Sequence, residues 1–144
     1  MRKLVYILMI AASCTEVRDT EYLTSADTEE LNLPFSEAVR VGNILYLSGQ
    51  VGNLPGEMKV VEGGIREETR QTMENIRNVL ERNGSSMEKV FKCLCMLSDI
   101  EEWGAMSEEY VKYFPGKKPA RSAFAGTGLA LGAKVEIECW ATVD

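Results

Sequence analysis

The strongest chemical candidates in this 144-residue chain are two carboxylates and an arginine fifteen positions before the first of them. Glu136 and Glu138 lie in the stretch KVEIECWATV. On a β-strand their side chains leave the same face, roughly 7 Å apart, while Val135, Ile137 and Cys139 point to the other. From alternation alone the better reading is the solvated side of an antiparallel strand. Arg121 follows Pro119-Ala120 and opens a second apolar segment. Its planar guanidinium can hold a carboxylate in two hydrogen bonds, or make a structural salt bridge to one of the glutamates. If the two strands pair, Arg121 and a glutamate can face one pocket. The glycine-rich run GTGLALG, residues 126–132, invites a phosphate-loop reading. It lacks the lysine of such a loop and no helix clearly follows it, so a strand connection is the better reading.

The composition narrows the chemistry further. The chain has no histidine, which excludes Ser-His and Cys-His nucleophile pairs, imidazole-ligated zinc and a histidine general base. Reaction chemistry must run on carboxylates, guanidinium groups, hydroxyls, backbone groups and water. With 16 Lys+Arg against 22 Asp+Glu the net charge is −6, so a phosphate backbone would be repelled and nucleic acid is not expected as a partner. Length, 45% hydrophobic and 26% charged residues describe one globular domain. Cys93, Cys95 and Cys139 are read as small core residues and not as a disulfide framework.

The N-terminus reads as an address. In MRKLVYILMIAASC, Arg2 and Lys3 precede nine apolar residues and then small residues before Cys14. Nine residues are too few to span a bilayer, which takes roughly 20 in a helix. Basic, apolar and small in that order is the pattern of a secretory signal, and a cysteine directly after it resembles a bacterial lipoprotein box. The expectation is a signal over 1–13, lipidation at Cys14, a polar tether over 14–32 and the domain over 33–144. That places the protein in the periplasm or cell envelope with possible membrane anchoring; the alternative is an ordinary first strand of a cytoplasmic protein.

The elements that must position the candidate residues follow from periodicity and punctuation. Ala38–Val41 and Ile44–Val51 are β-rich and separated by Gly42-Asn43, a hairpin signal. Residues 52–64 form a glycine-rich loop with a short β-like piece around Met58–Val61. From Ile65 to Asn83 the spacing is helical, with Thr69, Met73, Ile76 and Leu80 on one face, Thr72 and Val79 beside them, and Gly84 as the stop. Val90–Leu97 reads as a buried strand. Ser98 or Asp99 can cap a second helix on which Trp103, Met106 and Tyr110 share a face, ended by Pro115-Gly116. A strand starts near Arg121 and a last one covers 134–143. The order β-β-(β)-α-β-α-β-β predicts an α+β fold with two helices on one face of a mixed sheet.

The segments LPFSEAVRVGNILYLSGQVG, GGIREETRQTMENIRNVLERNGSS and KPARSAFAGTGLALGAKVEIECWA resemble the RidA (YjgF-like) family of reactive-intermediate deaminases, over about residues 33–143. The pairing of PARS with VEIE is specific to that family. The resemblance implies a chorismate-mutase-like fold, a homotrimer with clefts between subunits, and hydrolysis of enamines and imines such as 2-aminoacrylate to 2-keto acids and ammonia. Carried over by position, Arg121 would clamp the substrate carboxylate and Glu136 would hold or activate the water. Ser48, Gly49 and Phe35 would line the cleft, Phe35 standing where many members have tyrosine. Ser107 falls where many have asparagine. An imine carbon is already electrophilic, so such a site needs orientation, one water and a modest base, and neither metal nor cofactor. Two other functions go with the resemblance: an endoribonuclease or translation inhibitor, and a binding module for keto acids without turnover.

Overall fold

The computed structural model describes residues 19–144. Cys14 and the signal expected before it lie outside the described residues. Ten elements follow in chain order: β1 (Thr20–Leu23), α1 (Ala26–Glu30), β2 (Ala38–Val41), β3 (Ile44–Leu47), β4 (Gln50–Val51), α2 (Ile65–Arg82), β5 (Val90–Leu97), α3 (Trp103–Tyr110), β6 (Ala120–Ala125) and β7 (Val135–Thr142). The strands form one sheet in the order β1-β2-β3-β7-β5-β6, with β4 pairing the lower part of β7. All contacts are antiparallel except β5 with β6, so the sheet is mixed, as the alternation of elements predicts.

Helix α2 forms because its apolar and threonine side chains recur at three- and four-residue spacing. Thr69, Thr72, Met73, Ile76 and Leu80 are all fully buried. Each large apolar side chain so buried contributes about 1.5–3 kcal/mol. The sheet supplies the facing layer: Leu45, Leu47, Cys93, Cys95, Leu97, Val135, Ile137, Cys139 and Ala141 join the helices' Met73, Ile76, Leu80, Met106 and Tyr110 in one core. The other face of the sheet carries no helix from its own chain among the described residues.

Two contacts lock α2 to the strands beneath it. Glu68 is buried and its Oε2 accepts the Lys134 backbone N–H at 2.7 Å, fixing the chain as it enters β7. Asn75 donates from Nδ2 to the carbonyls of Val51 (3.0 Å) and Asn53 (2.8 Å), which anchors β4. Gly52 is needed between them, since a Cβ there would stand 2.7 Å from the Glu68 Cα.

Three expectations are corrected. Residues 20–30, read as part of a polar tether, form β1, which pairs with β2 in register from Thr20↔Val41 to Leu23↔Ala38, and α1, capped by the Ser25 side chain. Their polar sequence suits an edge strand with one solvated face. The strand expected over 44–51 is broken at Ser48-Gly49 into β3 and β4, and the piece near Met58 contributes only the bridge Asn53↔Val60. Cys93 and Cys139 are buried as expected, but they lie opposite each other on β5 and β7 and form a disulfide, leaving Cys95 free and buried. Burial pushes the Cys95 thiol up to about 11, so it is a packed thiol and not a nucleophile at neutral pH.

Candidate active site

Sheet register decides where the two candidate groups point. Arg121 is paired with Cys93 of β5, and paired residues share a face, so its side chain projects to the helix-covered side. Glu136 is paired with Met96 and alternates with buried Val135 and Ile137, so it projects to the uncovered side. Strands β6 and β7 are not neighbours; β5 lies between them. Two strand spacings across and three residues along put the Cα atoms about 14 Å apart. Within one chain, therefore, Arg121 and Glu136 do not meet in one pocket, contrary to the expectation from strand pairing. Each stands instead in surroundings of its own.

The arginine half-site is built by β6 and α3. Trp103, Ser107 and Tyr110 recur at four and three residues, which sets them on one helix stripe. The Arg121 guanidinium carbon lies 5.3 Å from the Trp103 ring centroid and 4.9 Å from that of Tyr110. Stacking of this kind holds the planar cation by its face and leaves its N–H edge free. Among the described residues no carboxylate lies within 4.0 Å of it, so the structural salt bridge considered for Arg121 is not formed. The Ser107 hydroxyl and the Tyr110 hydroxyl are both buried without a hydrogen-bond partner. Unpaired buried polar atoms are costly and rare. Here both belong to the helix stripe whose Trp103 and Tyr110 rings stack on Arg121.

The carboxylate half-site forms around the break between β3 and β4. Gly49 lies directly against Glu136: a Cβ there would collide with the carboxylate and stand 2.8 Å from its Cδ. Glycine at 49 is thus the condition for the Glu136 side chain to lie where it does. Burial, and then the nearby Glu138 charge, hold the Glu136 carboxyl above the usual glutamate range. Glu138 accepts a hydrogen bond from Trp140 Nε1 at 2.6 Å. Glu136, Gly49 and Phe35 line one cavity of about 290 Å³.

Ser48 does not line that cavity. Its hydroxyl donates to the Ser36 carbonyl at 2.7 Å, and its backbone N–H to the Glu37 carbonyl at 3.0 Å. It therefore positions the segment that carries Phe35. The spacing of Trp103, Ser107 and Tyr110 was visible in the sequence, but it signals a core stripe as readily as an arginine cradle. The cavity itself has no local sequence signal, because it is assembled from α1, α2, β4, β7 and three loops.

Comparison with known proteins places this arrangement. Residues 28–143 match the family model described as Endoribonuclease L-PSP. The chain is 39% identical over 105 residues to the mouse 2-iminobutanoate/2-iminopropanoate deaminase, covering 73% of this chain and 78% of the mouse protein. It is 37% identical over 110 residues to the chloroplastic Reactive Intermediate Deaminase A of Arabidopsis thaliana, covering 76% of this chain and 59% of that one. Among solved structures, a Yersinia pestis protein of the conserved Rid family superimposes with a TM-score of 0.80 at 32% identity, over 87% of this chain and all of the other. The match in sequence and the superposition agree with the segments that first suggested the likeness, and the chain belongs to the RidA (YjgF-like) family.

Proposed function

We propose that this protein hydrolyses enamines and imines derived from amino acids, such as 2-aminoacrylate, to 2-keto acids and ammonia, at sites formed where one copy's Arg121 half-site meets another copy's Glu136 half-site. The observation that carries this reading is the placement of the two groups on opposite faces of one sheet, each furnished for half of the task. A head-to-tail association of copies brings such halves together, and a closed ring of three uses all of them. The uncovered sheet face supports it. Tyr46, Phe124 and Tyr22 are 37%, 49% and 74% exposed there, an apolar display of the kind that marks an interface.

The chemistry asks little of the protein. Arg121 binds the substrate carboxylate through its free edge, with the Ser107 hydroxyl beside it. An enamine first takes a proton from solvent at its terminal carbon to become the iminium ion. Water then attacks the iminium carbon while the Glu136 carboxylate accepts a water proton, giving a neutral carbinolamine. Glu136 returns that proton to the nitrogen, the C–N bond breaks to release ammonia, and the hydroxyl gives up its own proton to solvent as the C=O bond forms. A carboxyl with a raised pKa is suited to taking and returning a proton near neutrality.

Relatives named imine deaminases at 36–39% identity support the reaction class. The family model's description names an endoribonuclease, but the cavity beside Glu136 sets three carboxylates, Asp27, Glu37 and Glu136, against the one guanidinium of Arg82, which is paired with Glu37, and the remaining negative charge opposes an RNA backbone. The test generates 2-aminoacrylate from serine with a dehydratase and follows keto acid formation. Acceleration over the spontaneous rate, lost in Arg121→Ala, is expected. No acceleration by the intact protein refutes the assignment.

A further inference from the structure

The disulfide in the core bears on where the chain folds. Cys93 and Cys139 stand directly opposite each other on β5 and β7, two interior strands of the sheet, and both are wholly buried. A bond buried this completely closes before or while its two strands pair, since afterwards no oxidant reaches it. Cys95, two residues along the same strand face, lies opposite Ile137 and keeps its thiol. The register therefore admits one bridge, and Cys-Leu-Cys at 93–95 lacks the Cys-x-x-Cys spacing of a redox motif. The bridge joins residues 46 apart and acts as a lock on the fold. Structural disulfides of this kind form in oxidising compartments, the bacterial periplasm among them, and are rare in the cytosol.

The N-terminal sequence is independent of the bridge. Arg2 and Lys3, the apolar run 4–12 and Ser13 precede Cys14 in the order of a secretory signal. Its two readings, an exported leader and the first strand of a cytoplasmic protein, require opposite states of Cys93 and Cys139. Outside the cytoplasm the pair is bonded; inside it is held reduced. The bonded pair in the core agrees with the leader.

We propose that this protein is exported and that Cys14 is its modification site, the sulfur taking a diacylglyceryl group and the residue becoming the mature, lipid-anchored N-terminus. The donor is a membrane glycerophospholipid. The Cys14 sulfur attacks the glyceryl carbon that bears the phosphate, so that a C–S bond forms and the C–O bond to phosphate breaks. The headgroup phosphate leaves with the electron pair and takes up the thiol proton. Water then hydrolyses the Ser13–Cys14 amide, which frees the leader's carboxylate and the Cys14 amine. Closing the Cys93–Cys139 bridge releases two electrons and two protons to a disulfide-bearing oxidase, which becomes a dithiol.

Such an anchor is short. The five residues TEVRD separate Cys14 from β1, which opens at Thr20 on the edge of the sheet. Six steps along an extended chain reach about 22 Å at most, so the β1 edge stands near the lipid surface. Two acyl chains on each protomer exceed the marginal hold of a single chain. In the closed ring that the deaminase reading uses, rotational symmetry sets all three β1 edges at one height, so the anchors enter one membrane together.

The test produces the full chain in a diderm bacterial host and fractionates the cells. The protein should sediment with membranes, incorporate an alkyne-labelled palmitate, and show an intact mass lacking residues 1–13. Inhibition of the lipoprotein signal peptidase should accumulate the acylated chain with its leader attached. Alkylation in urea should find one thiol, Cys95, before reduction and three after it. Cys14→Ser should lose the label and the membrane partition, while its kcat/KM with 2-aminoacrylate in detergent stays that of the parent. Four reactive thiols and an intact N-terminus in the cytosolic fraction would overturn the proposal. So would a cleaved, unacylated soluble protein, or a label that survives Cys14→Ser. An acylated protein that turns over no imine sinks the deaminase reading and leaves the anchor standing.

Discussion

If each site takes its arginine from one copy and its glutamate from the next, two inactive variants must restore one another. The Cα atoms of Arg121 and Glu136 are about 14 Å apart on opposite faces of a sheet, whereas the carboxylate and imine carbon of a 2-imino acid are adjacent atoms. No side-chain rotation passes through the sheet, so a site within one chain has no means of using both groups. Co-refolding Arg121→Ala and Glu136→Gln chains in equal amounts gives random rings. A site is intact when its arginine comes from a Glu136→Gln chain and its glutamate from an Arg121→Ala chain, each with probability one half. The mixture should therefore show about one quarter of wild-type kcat per site, from two parents that show almost none. Native mass spectrometry confirms that mixed rings formed, and the 2-aminoacrylate assay reads the activity. Mixed rings without recovered activity would refute the shared-site geometry.

Four further outcomes follow from the same geometry. Gly49→Ala forces Glu136 out of its rotamer; the fold should lose only about 0.5–1.5 kcal/mol, while activity should drop roughly 100-fold, as for a working group displaced by about 1 Å, measured by urea unfolding and kcat/KM. The rate should fall as pH is lowered through the raised pKa of Glu136, above the range of an ordinary glutamate, and Glu138→Gln should move that acid limb to lower pH by removing a neighbouring negative charge. Because the folded-state pKa is raised, the ionised carboxylate costs stability at neutral pH; Glu136→Gln should raise Tm there, and the gain should vanish as pH falls below the unfolded-state value. Ser48→Ala removes the bond to Ser36 and should cost about 1 kcal/mol, with KM rising more than kcat falls as the Phe35 segment loosens.

Much of this molecule could be read directly from its residues. The α2 stripe from Thr69 to Leu80, the Gly42-Asn43 hairpin and the alternation of β5 and β7 are local patterns, and local patterns report local structure. β1 was missed because TEYL is polar and short, and only its partner β2 makes it a strand. The Cys93–Cys139 bridge depends on register between strands 46 residues apart, which no spacing rule supplies. The site was half legible. Arg121 and Glu136 stand out by type and context, but which face each one occupies depends on β5 lying between their strands. That fact belongs to topology, and it turns an expected pocket into two half-sites.

The chain has two tryptophans, and the fold sets one against Arg121 and the other on the sheet face that carries Glu136. Trp103 lies against the Arg121 guanidinium, while Trp140 stands on the uncovered sheet face, bonded to Glu138 and packed 5.3 Å from the Tyr46 ring. Their fluorescence should therefore report different events. In a Trp140→Phe protein the remaining emission follows occupancy beside Arg121. In a Trp103→Phe protein it follows the covering of the sheet, so dilution would shift it and a small carboxylate would not. The molecule thus carries separate optical gauges for ligand and for assembly, with no label attached.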